Sequence, residues 1–513
     1  MDGPLRPRAD PDRLVRLDPP GPLQRADHVV QGARGHLERP VHAAFAQGRG
    51  HGVGVRRGLH ERPSTASPAS WTDGKMSCLR VSEAKNGLST GHGGRRSGKA
   101  RPTRIAGLVL CVALLIANCP FTSEPTPPAL KPIDPAAFQA AVDAAAKKLL
   151  VPGAAVLLHT PEGTFEAMVG TTKLGTRTPP DANTHVRIAS NTKTMTSALI
   201  VLLAQDGKLR FDDPVSTYVP DVPNGRNITI AELLKMRSGL YDYTAAPELA
   251  AALDADPTRA WTPQEVLAIA FRHPPRFPPG TSYDYNNTNY ALLGLIAEKA
   301  GGRPLGQQFQ DRLSGPLGLR QTSLPAADDN SIPDRYSHGY MYGGSAYALV
   351  DKDYPAGMQT AARDGTLQPV DYTNQNPSYA TAAGGVISTA DNLATWIRAL
   401  VSGKVLNAEY QRQWLDSLQP ENPDAPDGQQ YGYGISYQRF GQNASMYYHG
   451  GELPGFNSFI GYDADNHVTL VIWTNLTLSP EGKTTANALL PTVLDEIYAG
   501  LPVPPTPSPA TTR

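Results

Sequence analysis

The chain has 513 residues, 40% of them apolar and 18% charged, a composition that fits a globular protein of two or three domains. Lys plus Arg equals Asp plus Glu at 47 each, but residues 1–104 hold 19 basic against 9 acidic residues, and the rest hold 28 against 38. An acidic main body argues against a nucleic-acid partner, because phosphate binding is carried by Lys and Arg; all three cysteines (Cys78, Cys111, Cys119) lie in the first 119 residues, which leaves that body no disulfide framework, cysteine metal site or thiol nucleophile.

Residues 1–75 are rich in Arg, Gly, Pro and His, show no sustained helical or strand period, and read as a disordered segment that buries no core. They need not be translated, because Met76 is an alternative start. Residues 76–119 read as a signal-peptide region. Arg95, Arg96, Lys99, Arg101 and Arg104 precede a short apolar run, Ile105 to Ala117. Such a run matches a signal core of about 7–15 residues and falls short of the ~20 needed to span a membrane. The expected location is therefore exported: extracellular or at the cell envelope. Ile116–Cys119 is similar to a lipoprotein cleavage box, with Cys119 as the lipid-anchored residue, although Asn118 stands where a small residue is expected. Cleavage nearby with Cys119 incidental is the other reading.

A Pro-rich linker follows at 120–134. The patterned region, 135–500, opens with a helix expected over Pro135–Leu150. Two strands come next, "GAAVLLHT" and "TFEAMVG", joined by the turn residues Pro161-Glu162-Gly163. The far end carries three more strand-like runs, "ASMYYHGG", "FNSFIGYDA" and "HVTLVIWTN", and a last helix in "TTANALLPTVLDEIYAG". Strands from both ends predict one antiparallel sheet closed by distant segments, with the terminal helices on a face. The middle, about 195–400, reads as helices and Pro/Gly-rich loops forming a second, mainly helical lobe. A Pro/Thr tail, 501–513, is expected to be disordered.

Three short motifs carry candidate chemistry. Ser190 and Lys193 form S-x-x-K at the head of an apolar helix. Three residues apart on a helix, they share one face about 5–6 Å apart. A serine hydroxyl needs an adjacent base, and lysine can serve where burial disfavours its charge. Tyr285 and Asn287 form Y-x-N on a loop before a second apolar helix. His449-Gly450-Gly451 ends a strand, and its glycines let a substrate approach the backbone. Each triplet has a chance double elsewhere: Ser82 with Lys85, Tyr372 with Asn374, and His92-Gly93-Gly94. A helix cap, a turn and a turn-lining histidine are the plain alternatives.

Order, separation and flanks discriminate. With "VPGAAVLL", "GKLRFDDPVSTYVPD", "ITIAELLKMRSGL", "ATAAGGVISTADNLATW" and "YGYGISY", the three motifs resemble the penicillin-recognising serine hydrolases. The resemblance is to the class C β-lactamase group and the D-alanyl-D-alanine carboxypeptidases with a His-x-Gly third motif. It runs from about Pro135 to Gly500. It implies an α+β, β-lactamase/transpeptidase-like fold: an antiparallel sheet flanked by helices, plus a mainly helical lobe. It also implies an acyl-enzyme on Ser190, with Lys193 taking or sharing its proton and Tyr285 acting as acid and base. Asn287, His449, Gly450, Gly451 and Glu452 would bind substrate, with the N–H groups of Ser190 and Glu452 as the oxyanion hole. No metal or other cofactor is implied. His449 stands where many relatives carry lysine, and would supply a weaker, pH-dependent positive field. Gly450 stands where Thr is common, and Glu452 where a hydroxyl is common; strand alternation could turn its side chain away from the substrate. The expected activity is D-alanyl-D-alanine carboxypeptidase-like, on a small-molecule or cell-wall peptide substrate. The alternatives are an esterase of the same fold, then a β-lactamase, and, from another class, a non-catalytic penicillin- or peptidoglycan-binding lipoprotein.

Overall fold

The computed structural model describes residues 130–350 and 352–501. The expected leader, Cys119 with its lipid, most of the linker and the C-terminal tail lie outside them.

Helix α1 (Pro135–Lys148) starts where Asp134 accepts hydrogen bonds from the N–H groups of Ala136 and Ala137, with Pro135 at the first helical position. The linker's last residues already belong to the fold: Leu130 bridges to Tyr498, and the Lys131 N–H donates to Ile497 O. Strands β1 (Gly153–Thr160) and β2 (Gly163–Gly170) form the expected hairpin. The C-terminal part supplies β3 (Gln419–Pro420), β4 (Gln430–Tyr431), β5 (Ser436–Gly441), β6 (Ala444–Leu453), β7 (Phe456–Asp463) and β8 (Val468–Thr474). All pairings are antiparallel, in the order β2-β1-β8-β7-β6-β5-β4-β3. The two chain ends meet at β1–β8, where Ala155 lies opposite Trp473.

Both sheet faces are covered, so the strands read as near-continuous apolar runs. On one face, Val156, Leu158, Leu470 and Ile472 pack against Phe138 and Val142 of α1 and Leu489 and Val493 of the last helix, α5 (Thr485–Ile497). Alternation sends Leu157, Ile460, Val471 and Trp473 to the other face, into the core shared with the helical lobe. That lobe is built around α2 (Thr192–Gln205), buried from Thr192 to Ala204, with α3 (Asn287–Gly301) and α4 (Ala390–Val401) packed nearby. A helix apolar on all sides belongs inside a protein. This one carries the S-x-x-K lysine, so the lysine is held inside too.

Candidate active site

The chain enters the site through a strained turn. Ile188 is fixed at both ends: its N–H donates to Val386 O at 3.0 Å, and its carbonyl accepts from Ser458 Oγ at 2.9 Å. Ser458, on β7, also accepts from Asn191 Nδ2 at 2.8 Å. Between these anchors Ala189 has φ 52°, a left-handed conformation that costs a non-glycine residue about 1 kcal/mol or more. The turn Ala189–Asn191 is one turn of 3-10 helix running into α2. Ser190 therefore sits two residues ahead of α2 rather than capping it, with its side chain at the cleft.

Lys193 has no exposed surface. Its three ammonium protons have three acceptors: Ser190 Oγ at 2.9 Å, Asn287 Oδ1 at 2.8 Å and Ala383 O at 2.9 Å. Burial lowers its pKa to about 7, against a smaller opposing pull from Asp242. The lysine is thus poised to exchange a proton with the serine near neutrality. Asn287, the first residue of α3, is locked in orientation. Its Nδ2 donates to Thr244 Oγ1 at 2.9 Å and Asp242 Oδ2 at 3.3 Å, which turns Oδ1 toward the lysine. Asp242 in turn accepts from the Asn287 and Thr244 N–H groups.

Tyr285 completes the cluster around Ser190. Its ring centroid lies 4.9 Å from Lys193 Nζ, and its hydroxyl is hydrogen-bonded to Ser190. Burial holds this phenol well above its ordinary pKa, so Tyr285 is a proton donor at rest.

His449 does not supply the expected positive field. It is buried, and burial together with the Lys193 charge pushes its pKa down to about 3. Its Nδ1 lies 2.6 Å from Gly450 O, a contact only an N–H can make, so Nε2 accepts from the Tyr431 hydroxyl at 3.1 Å. The ring is a neutral spacer that fixes Tyr431 beside Tyr285, whose ring centroids are 6.1 Å apart. Glu452 borders the cleft on both sides of Ser190.

The two glycines differ. A Cβ on Gly451 would lie 2.3 Å from Ile188 O and 2.5 Å from Ser458 Oγ, so only glycine lets β6 lie against the nucleophile turn. A Cβ on Gly450 meets nothing nearer than 3.7 Å. Gly451→Ala is expected to force strand and turn apart, destabilising the fold by about 1–3 kcal/mol. It should also slow acylation by about 10²-fold by displacing the adjoining Glu452 N–H. Gly450→Ala should leave both nearly unchanged; thermal unfolding and acylation rates check the contrast.

All eight residues singled out in the sequence therefore meet at one cleft. Sequence reasoning missed Asp242, Thr244, Ala383, Ser458, Tyr431 and Glu421. Tyr431 and Ala383 lie in the quoted "YGYGISY" and "ATAAGGVISTADNLATW", and Ser458 in the strand run "FNSFIGYDA"; the others carried no signal. Among the described residues, no group of three or more His, Cys, Asp or Glu is placed to hold a metal.

A serine hydrogen-bonded to a buried lysine one turn away, set between an antiparallel sheet and a helical lobe, is the arrangement of the β-lactamase-fold serine hydrolases. The beta-lactamase family model matches residues 138–493, and the chain belongs to that family. Among curated relatives, a penicillin-binding protein of Bacillus subtilis (strain 168) is 23% identical over 60% of this chain and 64% of its own length. Protein flp of Staphylococcus aureus (strain MW2) is 25% identical over 64% and 60%. The chain thus spans less than two-thirds of these relatives. Two solved structures are matched almost end to end. A D-stereospecific amidohydrolase from Streptomyces sp. is 28% identical over 70% of this chain and 97% of that one, with a TM-score of 0.59. The D-amino acid amidase of Ochrobactrum anthropi SV3, complexed with L-phenylalanine amide, is 27% identical with the same coverages and TM-score.

Proposed function

We propose that this chain is a serine amidohydrolase that cleaves amides of D-amino acids or short D-configured peptides through an acyl-enzyme on Ser190. One observation carries the choice among activities of this fold: apart from the buried Lys193, committed to Ser190, Asn287 and Ala383, no Lys or Arg is among the described residues bordering the cleft, while Glu452 and Glu421 border it. A carboxypeptidase substrate or a β-lactam brings a carboxylate, and like charges in a partly desolvated cleft repel. His449 is neutral and Gly450 has no hydroxyl, so neither position supplies the charge or the hydroxyl that would hold that carboxylate. The 28% and 27% likenesses to D-specific amide hydrolases favour the uncharged amide instead.

The chemistry follows from the contacts. Ser190 Oγ attacks the amide carbon while its proton passes to Lys193, through their 2.9 Å hydrogen bond. The N–H groups of Ser190 and Glu452 receive the developing oxyanion. Tyr285 donates its proton to the departing nitrogen, the C–N bond breaks, and an ester on Ser190 remains. Lys193 returns the proton to Tyr285 oxygen. Water then adds to the ester with the same groups acting in reverse, releasing the acid and restoring the serine.

A turnover panel tests the reading: D- and L-phenylalanine amide, a D-Ala-D-Ala peptide, a cephalosporin and a short-chain nitrophenyl ester. The D-amide is expected to give the highest kcat/KM. A higher value for the D-Ala-D-Ala peptide or the cephalosporin would sink the proposal and restore the carboxypeptidase or β-lactamase reading. Preference for the ester alone would favour the esterase.

A further inference from the structure

The cleft continues past Tyr285 into a branch that the chemistry above does not use. Its lining includes Tyr283, Glu421, Gln429, Tyr448, Gly450 and Asn487. Tyr283 and Tyr285 are two apart on one extended segment, and both rings lie near Tyr431, at 5.8 and 6.1 Å between centroids. A row of phenol rings thus leads from the nucleophile to Glu421. The Glu421 carboxylate accepts from Gln429 Nε2 at 2.7 Å and is hydrogen-bonded to Tyr283. Two of its roughly four acceptor positions are then in use. Arg237 lies behind Tyr283, 5.9 Å from its ring; it donates to Pro420 O and attracts the Glu421 carboxylate electrostatically without bordering the branch. Asn487 Oδ1 is buried without a hydrogen-bond partner, 3.7 Å from where a Cβ of Gly450 would stand.

Aromatic walls with a carboxylate at the end are the chemistry that recognises an ammonium group. The branch lies on the Tyr285 side of Ser190, and Tyr285 delivers the proton to the departing nitrogen. The branch is therefore where the leaving group goes. We infer that Glu421, with Tyr283 and Tyr448, forms a leaving-group subsite for amines that carry a second, cationic end. Asn487 Oδ1 offers a further acceptor along the passage. This inference rests on the amidohydrolase reading. Burial raises the Glu421 pKa, and an arriving cation offsets that burial by pairing with the ionised form.

The test uses two D-phenylalanyl amides of nearly equal size, one of 1,5-diaminopentane and one of hexylamine. The wild-type chain is expected to favour the diamine amide by about 10- to 100-fold in kcat/KM, and Glu421→Gln to bring the ratio close to one. The change in ratio should come from a fall in kcat/KM for the diamine amide, because only that substrate carries the charge that Glu421 meets. A wild-type ratio near one, or one that survives in Glu421→Gln, overturns the subsite while leaving the amidohydrolase reading intact. If neither amide is cleaved, that reading fails, and the subsite is judged by protection of Ser190. 1,5-Diaminopentane should then slow fluorophosphonate labelling of Ser190 at concentrations where hexylamine does not, and equal protection by the two overturns it. The wild-type measurements decide the matter even if the variant does not fold.

Discussion

Ser190→Ala is expected to lower turnover by on the order of 10⁶-fold, to the background set by the oxyanion donors and binding alone. The size of the effect follows from the single-nucleophile geometry. Lys193 Nζ, Tyr285 and the strained turn all converge on one oxygen, Ser190 Oγ. No other hydroxyl shares that set of partners among the described hydrogen bonds: Thr244 Oγ1 is committed to Asp242 and Asn287, and Ser458 Oγ to Ile188 O and Asn191. The variant should fold, because removing the hydroxyl leaves Ala383 and Asn287 holding the lysine. A fluorophosphonate probe should label the wild-type chain once and Ser190→Ala not at all. Labelling that persists in a folded Ser190→Ala would place the nucleophile elsewhere.

How much of this could be read from the sequence depended on distance along the chain. Ser190 with Lys193, and Tyr285 with Asn287, are local pairs, and a helix or an extended segment fixes each pair's geometry without reference to the rest. The sheet strands were legible for a related reason. Burial on both faces wrote near-continuous apolar runs into β1 and β8, and the terminal helices carried their own apolar period. The two-residue strands β3 and β4 left no such trace, because pairing across so short a ladder needs no pattern. Ser458 reaches Ile188 and Asn191 from some 270 residues away, and Ala383 acts through a carbonyl that every residue has. The error over His449 has the same origin. Its sequence neighbours are glycines, which look open, but Tyr431 and the sheet enclose it, and a ring with no exposed surface to spare stays neutral. Glu421 was illegible because its loop position says nothing about the cleft it faces.

Lys193→Ala should lower kcat/KM nearly as far as Ser190→Ala, by about 10⁴-fold or more, and the double variant should lose little beyond either single change, because the two groups act as a unit. Full additivity would break the dyad apart. The pH dependence gives a second, independent reading of the same residue. A lysine whose pKa is lowered to about 7 is charged below that value and neutral above it. Only the neutral amine can take the serine proton. Wild-type kcat/KM should therefore rise tenfold per pH unit below about 7 and level off above it, in a profile that belongs to the free enzyme. Tyr285 and Lys193 are close enough to titrate as a set, so the midpoint is a property of the cluster. Stability should move in the same direction. In the unfolded chain the lysine returns to its ordinary value near 10.5, so between about 7 and 10.5 the unfolded state binds more protons and folding strengthens as pH rises. Lys193→Met, which keeps the length and removes the charge, should lose both the acid limb of activity and this gain in stability. A variant that retained the acid limb would assign it to another group, and a stability profile unchanged from wild type would mean that the amine is not held neutral inside the fold.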